Sequence, residues 1–442
     1  MSAGEARAAG GPGTALVVGA GVGGLCAAAR LANAGWQVTL LERLRQVGGR
    51  WSSRDVDGFT LPTGAFLIAL DDPLAETFAE LNVDFPVRPI EERTVYLVGG
   101  SLVGTGERGG LRALVEASAE RDGSDPQQMM QVVRAAISGA VAATEQPLPV
   151  WLEAQGAGPV VRAAFHSITQ AWMALNAGEV RADAFFDYLR AQSGRGHHGI
   201  PPGGSEQLAD NLADFVRQHG GRVQLDARVT ELTATGGRVD GVVLRDGTHL
   251  SAEVVVSDLG VTATAALLPR ELAAHLPAET EVSAAPGITC YIASREPFYE
   301  HPAVVTVGTR CVCLVTTPTL VAPELAPAGW HFTETISTFV SSTDDSDAKG
   351  ELALHLADVD ELLPGWRERG RLLKRQTYRG AWPVYRAWPG HDSQDRLPVP
   401  GLALVGDSVK PAGFAGTGAS AESARLVVEG ILAGLHGRPA VS

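Results

Sequence analysis

The stretch TALVVGAGVGG, residues 14–24, decides the fold of this chain. Its first five residues, Thr14–Val18, are apolar or β-branched and predict a buried parallel strand. Small apolar residues then recur at helical spacing and predict a helix that ends near Gly35. A second strand is predicted for Gln37–Leu41, directly before Glu42. The order strand, glycine turn, helix, strand and acid is that of a dinucleotide-binding βαβ unit.

The glycines of this unit each have a physical task. Gly19 permits a tight turn, Gly21 lets the backbone approach a pyrophosphate, and Gly24 lets helix and strand pack closely. The helix amino terminus offers free N–H groups and a partial positive charge to the phosphates. Glu42 can accept hydrogen bonds from a ribose diol and would repel a 2′-phosphate, which favours FAD or an NAD-type cofactor. The residues predicted to contact the dinucleotide here are Gly19, Gly21, Gly23, Gly24, Glu42 and Arg43.

Two further segments indicate which of the two cofactors, FAD or an NAD-type dinucleotide, is bound. GGR stands at residues 48–50, and GFTLPTGA follows at residues 58–65. With these motifs the chain resembles the FAD-dependent superfamily of amine oxidases and phytoene (carotenoid) desaturases, and it is closer to the desaturase-like group. The resemblance implies that Arg50 approaches the FAD phosphates and that the backbone of residues 63–65 runs beside the isoalloxazine. The acid that the family usually carries in the second segment is replaced by Leu-Pro-Thr-Gly at residues 61–64. The implied cofactor contacts are Gly49, Arg50, Gly64 and Ala65.

The carboxy-terminal part of the chain carries a second half of the same pattern. An apolar strand is predicted at residues 402–405, followed by Gly406 and Asp407, a glycine-rich loop, and a helix beginning near Ala419. The resemblance implies that Asp407 bonds the ribityl or pyrophosphate region and that backbone N–H groups of residues 416–419 face the flavin pyrimidine. The implied contacts are Gly406, Asp407, Gly416, Thr417 and Gly418. Because residues 406–420 contain no cysteine, we expect FAD to be bound non-covalently.

The middle of the chain completes the predicted dinucleotide domain. A loop at residues 199–205, a helix and a hairpin resemble the desaturase group, in which the residue matching Val229 pairs its backbone with the adenine. The predicted fold class is therefore α/β, with a Rossmann-type (glutathione-reductase-like) FAD-binding domain that is discontinuous in sequence and an α+β substrate domain. The predicted boundaries are 1–13 for a mobile tail, 14–72, 197–262 and 398–438 for the FAD-binding domain, and 73–196 and 263–397 for the substrate domain.

The substrate domain is expected to cover the flavin. Helices are predicted at 111–120, 127–143, 182–191 and near 351–362, and strands at 304–307 and 311–316. Six of the eight tryptophans fall in this domain, at positions 151, 172, 330, 366, 382 and 388. Most are expected to be core residues. Because residues 381–386 directly precede the last FAD strand, Trp382 and Tyr385 are predicted to line the pocket. His198 and Arg386 are further candidates for orienting the substrate or assisting proton loss.

Composition limits the partners. The net charge of −14 argues against nucleic acid, which needs a basic face. Four cysteines in 442 residues are typical of a reducing cytosol, and no targeting segment is evident, so we expect a cytoplasmic protein, with peripheral membrane attachment left open. No metal is expected, because the adjacent His197 and His198 point to opposite sides of an extended chain. The expected partners are a hydrophobic small molecule and oxygen, a quinone or NAD(P) as electron partner; the oligomeric state is not readable.

Several functions fit these motifs. The leading hypothesis is a dehydrogenase or desaturase in which a substrate C–H delivers hydride to flavin N5 and C=C or C=N results. An amine oxidase is the nearest alternative, but its family commonly places a lysine near flavin N5, and the lysines here are only Lys349, Lys374 and Lys410. An NAD(P)H-fed monooxygenase and a redox-neutral isomerase also fit. The non-enzymatic alternative is an isoprenoid-binding protein like the Rab escort and GDP-dissociation inhibitor proteins, against which the intact FAD motifs argue.

Overall fold

The computed structural model describes residues 13–92, 94–104, 110–193, 195–276, 285–340, 347–387 and 396–435. The strands are β1 (Thr14–Val18), β2 (Gln37–Leu41), β3 (Ser53–Val56), β4 (Phe59–Pro62), β5 (Ile68–Ala69), β6 (Arg88–Pro89), β7 (Val95–Val98), β8 (Ser101–Val103), β9 (His198–Ile200), β10 (Arg222–Gln224), β11 (Val229–Thr235), β12 (Arg238–Leu244), β13 (His249–Ser251), β14 (Val254–Ser257), β15 (Gly287–Ser294), β16 (Ala303–Val307), β17 (Val312–Thr316), β18 (His331–Thr338), β19 (Gly370–Tyr378) and β20 (Leu402–Leu404). The helices are α1 (Val22–Asn33), α2 (Pro73–Glu80), α3 (Leu111–Asp122), α4 (Pro126–Ser138), α5 (Leu148–Ala154), α6 (Pro159–Met173), α7 (Ala182–Ala191), α8 (Gly204–Gln218), α9 (Val261–Ala265), α10 (Arg270–Ala273), α11 (Ala348–Leu362), α12 (Trp366–Arg369) and α13 (Gly416–Leu432). The predicted mobile tail, apart from residue 13, and Trp388 lie outside the described residues.

The first unit is a parallel sheet in the order β10-β2-β1-β14-β20. Its strands come from three distant parts of the chain, which confirms the predicted Rossmann-type α/β class. Along β1 the side chains alternate between the two faces of the sheet, as strand geometry requires. Ala15 and Val17 pack against α1, α8 and α13, whereas Leu16 and Val18 pack against the antiparallel β11-β12-β13 sheet. Both faces are thus buried, and the carboxyl ends of the strands form one edge.

The second unit is a mixed sheet in the order β19-β15-β18-β17-β16-β7-β8. Helices α3–α7 pack on one face, where Phe165 of α6 is buried and packs edge-on against Phe185 of α7. Helix α11 packs on the opposite face through Val359 and Leu362. No helix of the described residues is long and apolar enough to cross a membrane.

Sequence patterning located only part of this second unit. Five elements lie within a few residues of their predicted positions: helices α3, α7 and α11 and strands β16 and β17. The prediction of one helix over 127–143 was wrong at its end, because Gly139 takes a left-handed conformation (φ 78°) and stops α4 at Ser138. The three adjacent strands at one side of this sheet, β19, β15 and β18, were not predicted.

Candidate active site

The glycine turn after β1 has the close contacts that the motif demands. Gly19 has a positive φ of 98°, which favours glycine. A Cβ on Gly24 would overlap the carbonyl oxygen of Gly19, and one on Gly23 would collide with the backbone of Gly406. These glycines therefore let β1, α1 and the end of β20 approach each other. Gly21 precedes α1 and faces a cavity, so the amino terminus of that helix, which favours an anion, points toward the cavity.

Glu42 is held in place at the end of β2. Its carboxylate accepts hydrogen bonds from the backbone N–H of Ala20 at 2.9 Å and of Leu44 at 2.8 Å, and the residue is 5% exposed. Glu42 and Arg43 lie side by side in the wall of the same cavity, and Val229 lines it from the start of β11. The chemistry of this donor and acceptor set fits the adenosine half of FAD.

Arg50, Asp407 and Arg386 form an ion cluster where the two FAD half-motifs meet. Arg50 Nη2 donates to Asp407 Oδ2 at 2.8 Å, and the backbone N–H of Arg386 donates to the same oxygen at 3.0 Å. The Arg386 guanidinium donates to Oδ1 at 3.3 Å. Burial opposes ionisation of Asp407, yet the two arginines hold the pKa of this carboxyl well below its usual range. The cluster carries a net positive charge, which suits a diphosphate.

These residues line one cavity of about 2090 Å³. Ordinary ligand pockets measure roughly 300–1,000 Å³, so this cavity has room for a dinucleotide and a substrate together. Of the predicted cofactor contacts, the following line it: Gly19, Gly21, Glu42, Arg43, Gly49, Arg50, Gly64, Ala65, Val229, Asp407, Gly416 and Thr417. The remaining predicted contacts do not line the cavity but pack closely against neighbouring residues behind its wall: Gly23, Gly24, Gly406 and Gly418. A Cβ on Gly418, for example, would strike the Asp72 carboxylate.

The cavity continues into an apolar chamber between the two units. We call it the substrate chamber; its apolar wall includes Phe66, Leu67, Ile137, Trp172, Val305, Leu314, Ile336 and Val384. Trp382, Tyr385 and His198 also line the cavity. The Tyr385 hydroxyl lies beside Gly416 at the start of α13, and burial raises the pKa of this phenol to about 12. Arg386 lines the cavity too, but its guanidinium is held by Asp407.

Sequence reasoning missed a buried carboxyl in the chamber wall. Glu334 on β18 is 1% exposed and accepts a hydrogen bond from Thr316 Oγ1 at 3.4 Å. Tyr291 on β15 stands opposite Glu334 in the sheet register and donates its hydroxyl to the carbonyl oxygen of Pro62 at 2.7 Å. Tyr378 donates to the next carbonyl, of Thr63, at 3.2 Å. The side chains of Glu334, Tyr291 and Tyr378 therefore connect the chamber wall to residues 62–63, in the segment expected beside the flavin.

The Glu334 carboxyl should leave a pH signature in stability. Burial raises its pKa to about 8, so the folded protein binds this proton more tightly than the unfolded chain. The carboxyl therefore lowers stability progressively as pH rises from about 4.3, its unfolded value, to about 8. Relative to Glu334→Gln, the wild type should lose at most about 1.4 kcal/mol of unfolding free energy per pH unit in this window. Urea unfolding of both proteins across this range measures the loss of unfolding free energy. A constant difference in unfolding free energy between the two proteins would contradict the prediction. The control variant Glu116→Gln, which changes a surface carboxyl of α3, should follow the wild type.

The family follows from comparison with known proteins. The sequence profile of the flavin-containing amine oxidoreductases matches residues 22–432, from the last glycines of the amino-terminal motif through the carboxy-terminal FAD motif. The chain belongs to this family. It is an FAD-dependent oxidoreductase, and the residue placements above fit that cofactor.

The oxidoreductase has relatives of several kinds. An uncharacterised protein of Methanocaldococcus jannaschii is 25% identical over 402 residues, covering 90% of this chain and 94% of the relative. The neurosporene-forming phytoene desaturase of Rhodobacter capsulatus is 28% identical over 287 residues, which cover 56% of this chain and 52% of that enzyme. The crystal structure of an oxidoreductase from Methanosarcina mazei superposes with a TM-score of 0.83 at 26% identity, covering 94% of this chain and all of that one. A putrescine oxidase structure shares the fold, with a TM-score of 0.69 and 17% identity over 96% of this chain and 99% of that one.

None of the lysines of this oxidoreductase lines the described part of the cavity. Lys349 stands near the start of α11 and Lys374 lies on β19. Lys410 is fully buried and donates to the backbone oxygens of Ala387 at 2.9 Å and Asp407 at 3.1 Å. The chamber therefore lacks the lysine that the amine oxidase resemblance implies.

Acid denaturation should release the flavin of this oxidoreductase. All four cysteines are buried and free, and none of them lines the cavity. We therefore expect trichloroacetic acid to give a white pellet and a yellow supernatant with the absorbance of free FAD. Flavin that stays with the washed pellet would contradict the non-covalent prediction.

Proposed function

We propose that this oxidoreductase removes a hydride and a proton from neighbouring carbon atoms of a hydrophobic small molecule and so forms C=C; formation of C=N is the second candidate. The observation that carries the proposal is the continuity of the cavity, which leads from the dinucleotide cleft into an apolar chamber without a lysine. Bound FAD would supply the hydride acceptor at flavin N5. The chain would supply the binding, the orientation and the exclusion of water.

The residues around the cleft are suited to hold the cofactor. The positively charged Arg50–Asp407–Arg386 cluster would bind the diphosphate, and Glu42 the adenosine ribose. The carbonyls of Pro62 and Thr63 are fixed by Tyr291 and Tyr378, which keeps the wall beside the ring system rigid. Helix α13 presents its amino terminus at Gly416, where its dipole would stabilise negative charge on a reduced ring.

The residues of the chamber are suited to orient an apolar substrate. Trp382 and Tyr385 would pack against it at the boundary with the FAD cleft. Because the Tyr385 phenol stays protonated at neutral pH, it would act as a hydrogen-bond donor and not as a base. His198 lies at the cavity mouth with its Nδ1 at 3.1 Å from the Gly196 carbonyl oxygen, which leaves Nε2 for the substrate side. Arg386 is better assigned to the diphosphate than to proton loss, because Asp407 occupies its guanidinium.

The partners and the domain division belong to the same proposal. Segments 73–196 and 263–397 would form the substrate domain and 14–72, 197–262 and 398–438 the FAD-binding domain. Oxygen or a quinone would reoxidise the flavin, so NADH and NADPH should not reduce it. The acidic chain and its few, free cysteines support a cytoplasmic location without nucleic acid as a partner.

Amine oxidation is the second candidate, and Glu334 is the observation that favours it. Among the described residues no arginine, lysine or histidine forms an ion pair with this buried carboxyl. A substrate ammonium group could provide the missing cation, since an ion partner stabilises a buried carboxylate.

Anaerobic flavin bleaching separates the two candidates. Purified protein is mixed with detergent-dispersed phytoene or with dodecylamine, and the visible flavin band is followed. Bleaching by the hydrocarbon, with a product two hydrogens lighter, supports the desaturase proposal. Bleaching by the amine alone, with an aldehyde and ammonia as products, supports the second candidate. No bleaching by either probe or by shorter hydrocarbons and alkylamines would count against both.

A further inference from the structure

The FAD cleft contains an acid that the cofactor motifs do not account for. Asp258 directly follows β14, and its backbone N–H donates to the carbonyl oxygen of Val18 at 2.9 Å. Its side chain lines the cavity and accepts a hydrogen bond from the backbone N–H of Gly24. A Cβ placed on Gly21 would strike Asp258 Oδ2, and one placed on Gly406 would strike Oδ1. The carboxyl therefore occupies the space between the two glycine turns.

That space is where the cleft is built to receive an anion. Helix α1 has no side-chain cap of its own, so its free N–H groups face this point. In the open cleft the Asp258 carboxylate accepts from one of these groups, the N–H of Gly24. When a diphosphate enters, an ionised Asp258 would face a like charge at van der Waals distance in a partly desolvated site, which is strongly unfavourable.

We propose that Asp258 is a proton-linked positioning residue of the cofactor site: it binds FAD as the neutral acid, donating a hydrogen bond to the diphosphate, and FAD binding takes up one proton at alkaline pH. No covalent bond changes in this step. The proton comes from solvent and returns to it when FAD leaves. The inference rests on the FAD site and not on the proposed substrate, so its failure would leave the proposed reaction untouched.

The charged groups around Asp258 are consistent with this. Burial raises its pKa to about 7, against the opposing influence of Arg386 and Arg50. Asp407, ionised within its ion cluster, raises it further. Cys26 on α1 also faces Asp258, but burial raises the pKa of this thiol to about 12, so it adds no charge at neutral pH. Asp258 is therefore divided between its two forms near neutrality, and a diphosphate would shift it toward the acid.

Linkage sets the size of the effect. Above the pKa of the free protein, near 7, the apparent Kd for FAD should rise about tenfold for each pH unit until the pKa of the complex is reached. Deflavinated wild-type protein titrated with FAD, followed by flavin fluorescence from about pH 6 to about pH 9, measures this slope. Calorimetry in two buffers of different ionisation enthalpy should show about one proton taken up per FAD at alkaline pH.

Asp258→Asn keeps the shape and removes the charge. It should bind FAD with a nearly constant Kd over this range and more tightly than wild type at the alkaline end. Asp210→Asn, which removes an exposed carboxylate of α8 outside the cavity wall, should keep the wild-type slope. If Asp258→Asn does not fold, Asp258→Ser is used, and proton uptake by the wild type decides the question without any variant. A Kd independent of pH in the wild type, no proton uptake, or an unchanged slope in Asp258→Asn would overturn the proposal.

Discussion

Asp407→Ala is expected to yield a colourless protein with a much lower stability than the wild type. Asp407 is 5% exposed and is the shared partner of Arg50 and Arg386. Its removal leaves two guanidinium groups close together, and breaking a buried ion cluster on one side costs about 3–5 kcal/mol. The cleft would also lose the group that fixes both arginines for the diphosphate. The flavin absorbance of the purified protein and its urea midpoint measure both effects.

The matched control is Glu116→Ala. Glu116 forms an exposed pair with Arg112 at 2.7 Å on one face of α3, and such pairs contribute about 0.5 kcal/mol. This variant should stay yellow and keep the wild-type midpoint within error. Asp407→Ala that retains a full complement of FAD would show that the ion cluster does not belong to the cofactor site.

Replacing Trp382 and Tyr385 together with alanine should slow flavin reduction by about 100-fold, since loss of substrate positioning costs that much. Both side chains line the cavity, and the proposed function places them against the substrate. FAD should remain bound, because neither side chain belongs to the Arg50–Asp407–Arg386 cluster. Anaerobic stopped-flow mixing with whichever probe bleaches the wild type measures the rate.

Trp330→Ala is the control for the loss of a large aromatic side chain. Trp330 packs edge-on against Phe59 with a centroid distance of 6.2 Å and is not part of the cavity wall. It should lower stability without changing the rate of flavin reduction. Equal rates in the double variant and the wild type would remove Trp382 and Tyr385 from the substrate site.

The dinucleotide unit was predictable because local rules decide it. The positive φ of Gly19 and the contact of Gly24 with the Gly19 carbonyl oxygen each require glycine. The positions of the glycines in the sequence therefore predict the geometry of the turn. Strands β1, β2 and β14 are buried on both faces and read as short apolar runs. The discontinuity of this unit along the chain was expected from the resemblance to the desaturase group, and the strand order of its sheet was not predicted.

The chamber was not predictable in the same way. Strands β15 and β18 are interior strands of the second sheet, but they carry buried polar side chains: Thr289 and Glu334 line the cavity, and Tyr291 pairs with Glu334 in the register. Polar side chains at those positions interrupt the apolar alternation that marks a strand. Glu334 and Asp258 gain their roles from contacts with residues far away in sequence, such as Tyr291 and Gly21. The assignment of Arg386 to the substrate was likewise made without its contact to Asp407.

The proposed entry of electrons from a substrate is tested by the visible spectrum of the purified protein under anaerobic conditions, before and after addition of NADH or NADPH. We expect a flavin spectrum that persists with either nucleotide, because electrons enter from a substrate held in the chamber. Rapid bleaching by NADH or NADPH would contradict this proposal, since the protein would then receive its electrons from a nicotinamide, as a monooxygenase, a reductase or a reduced-flavin isomerase does.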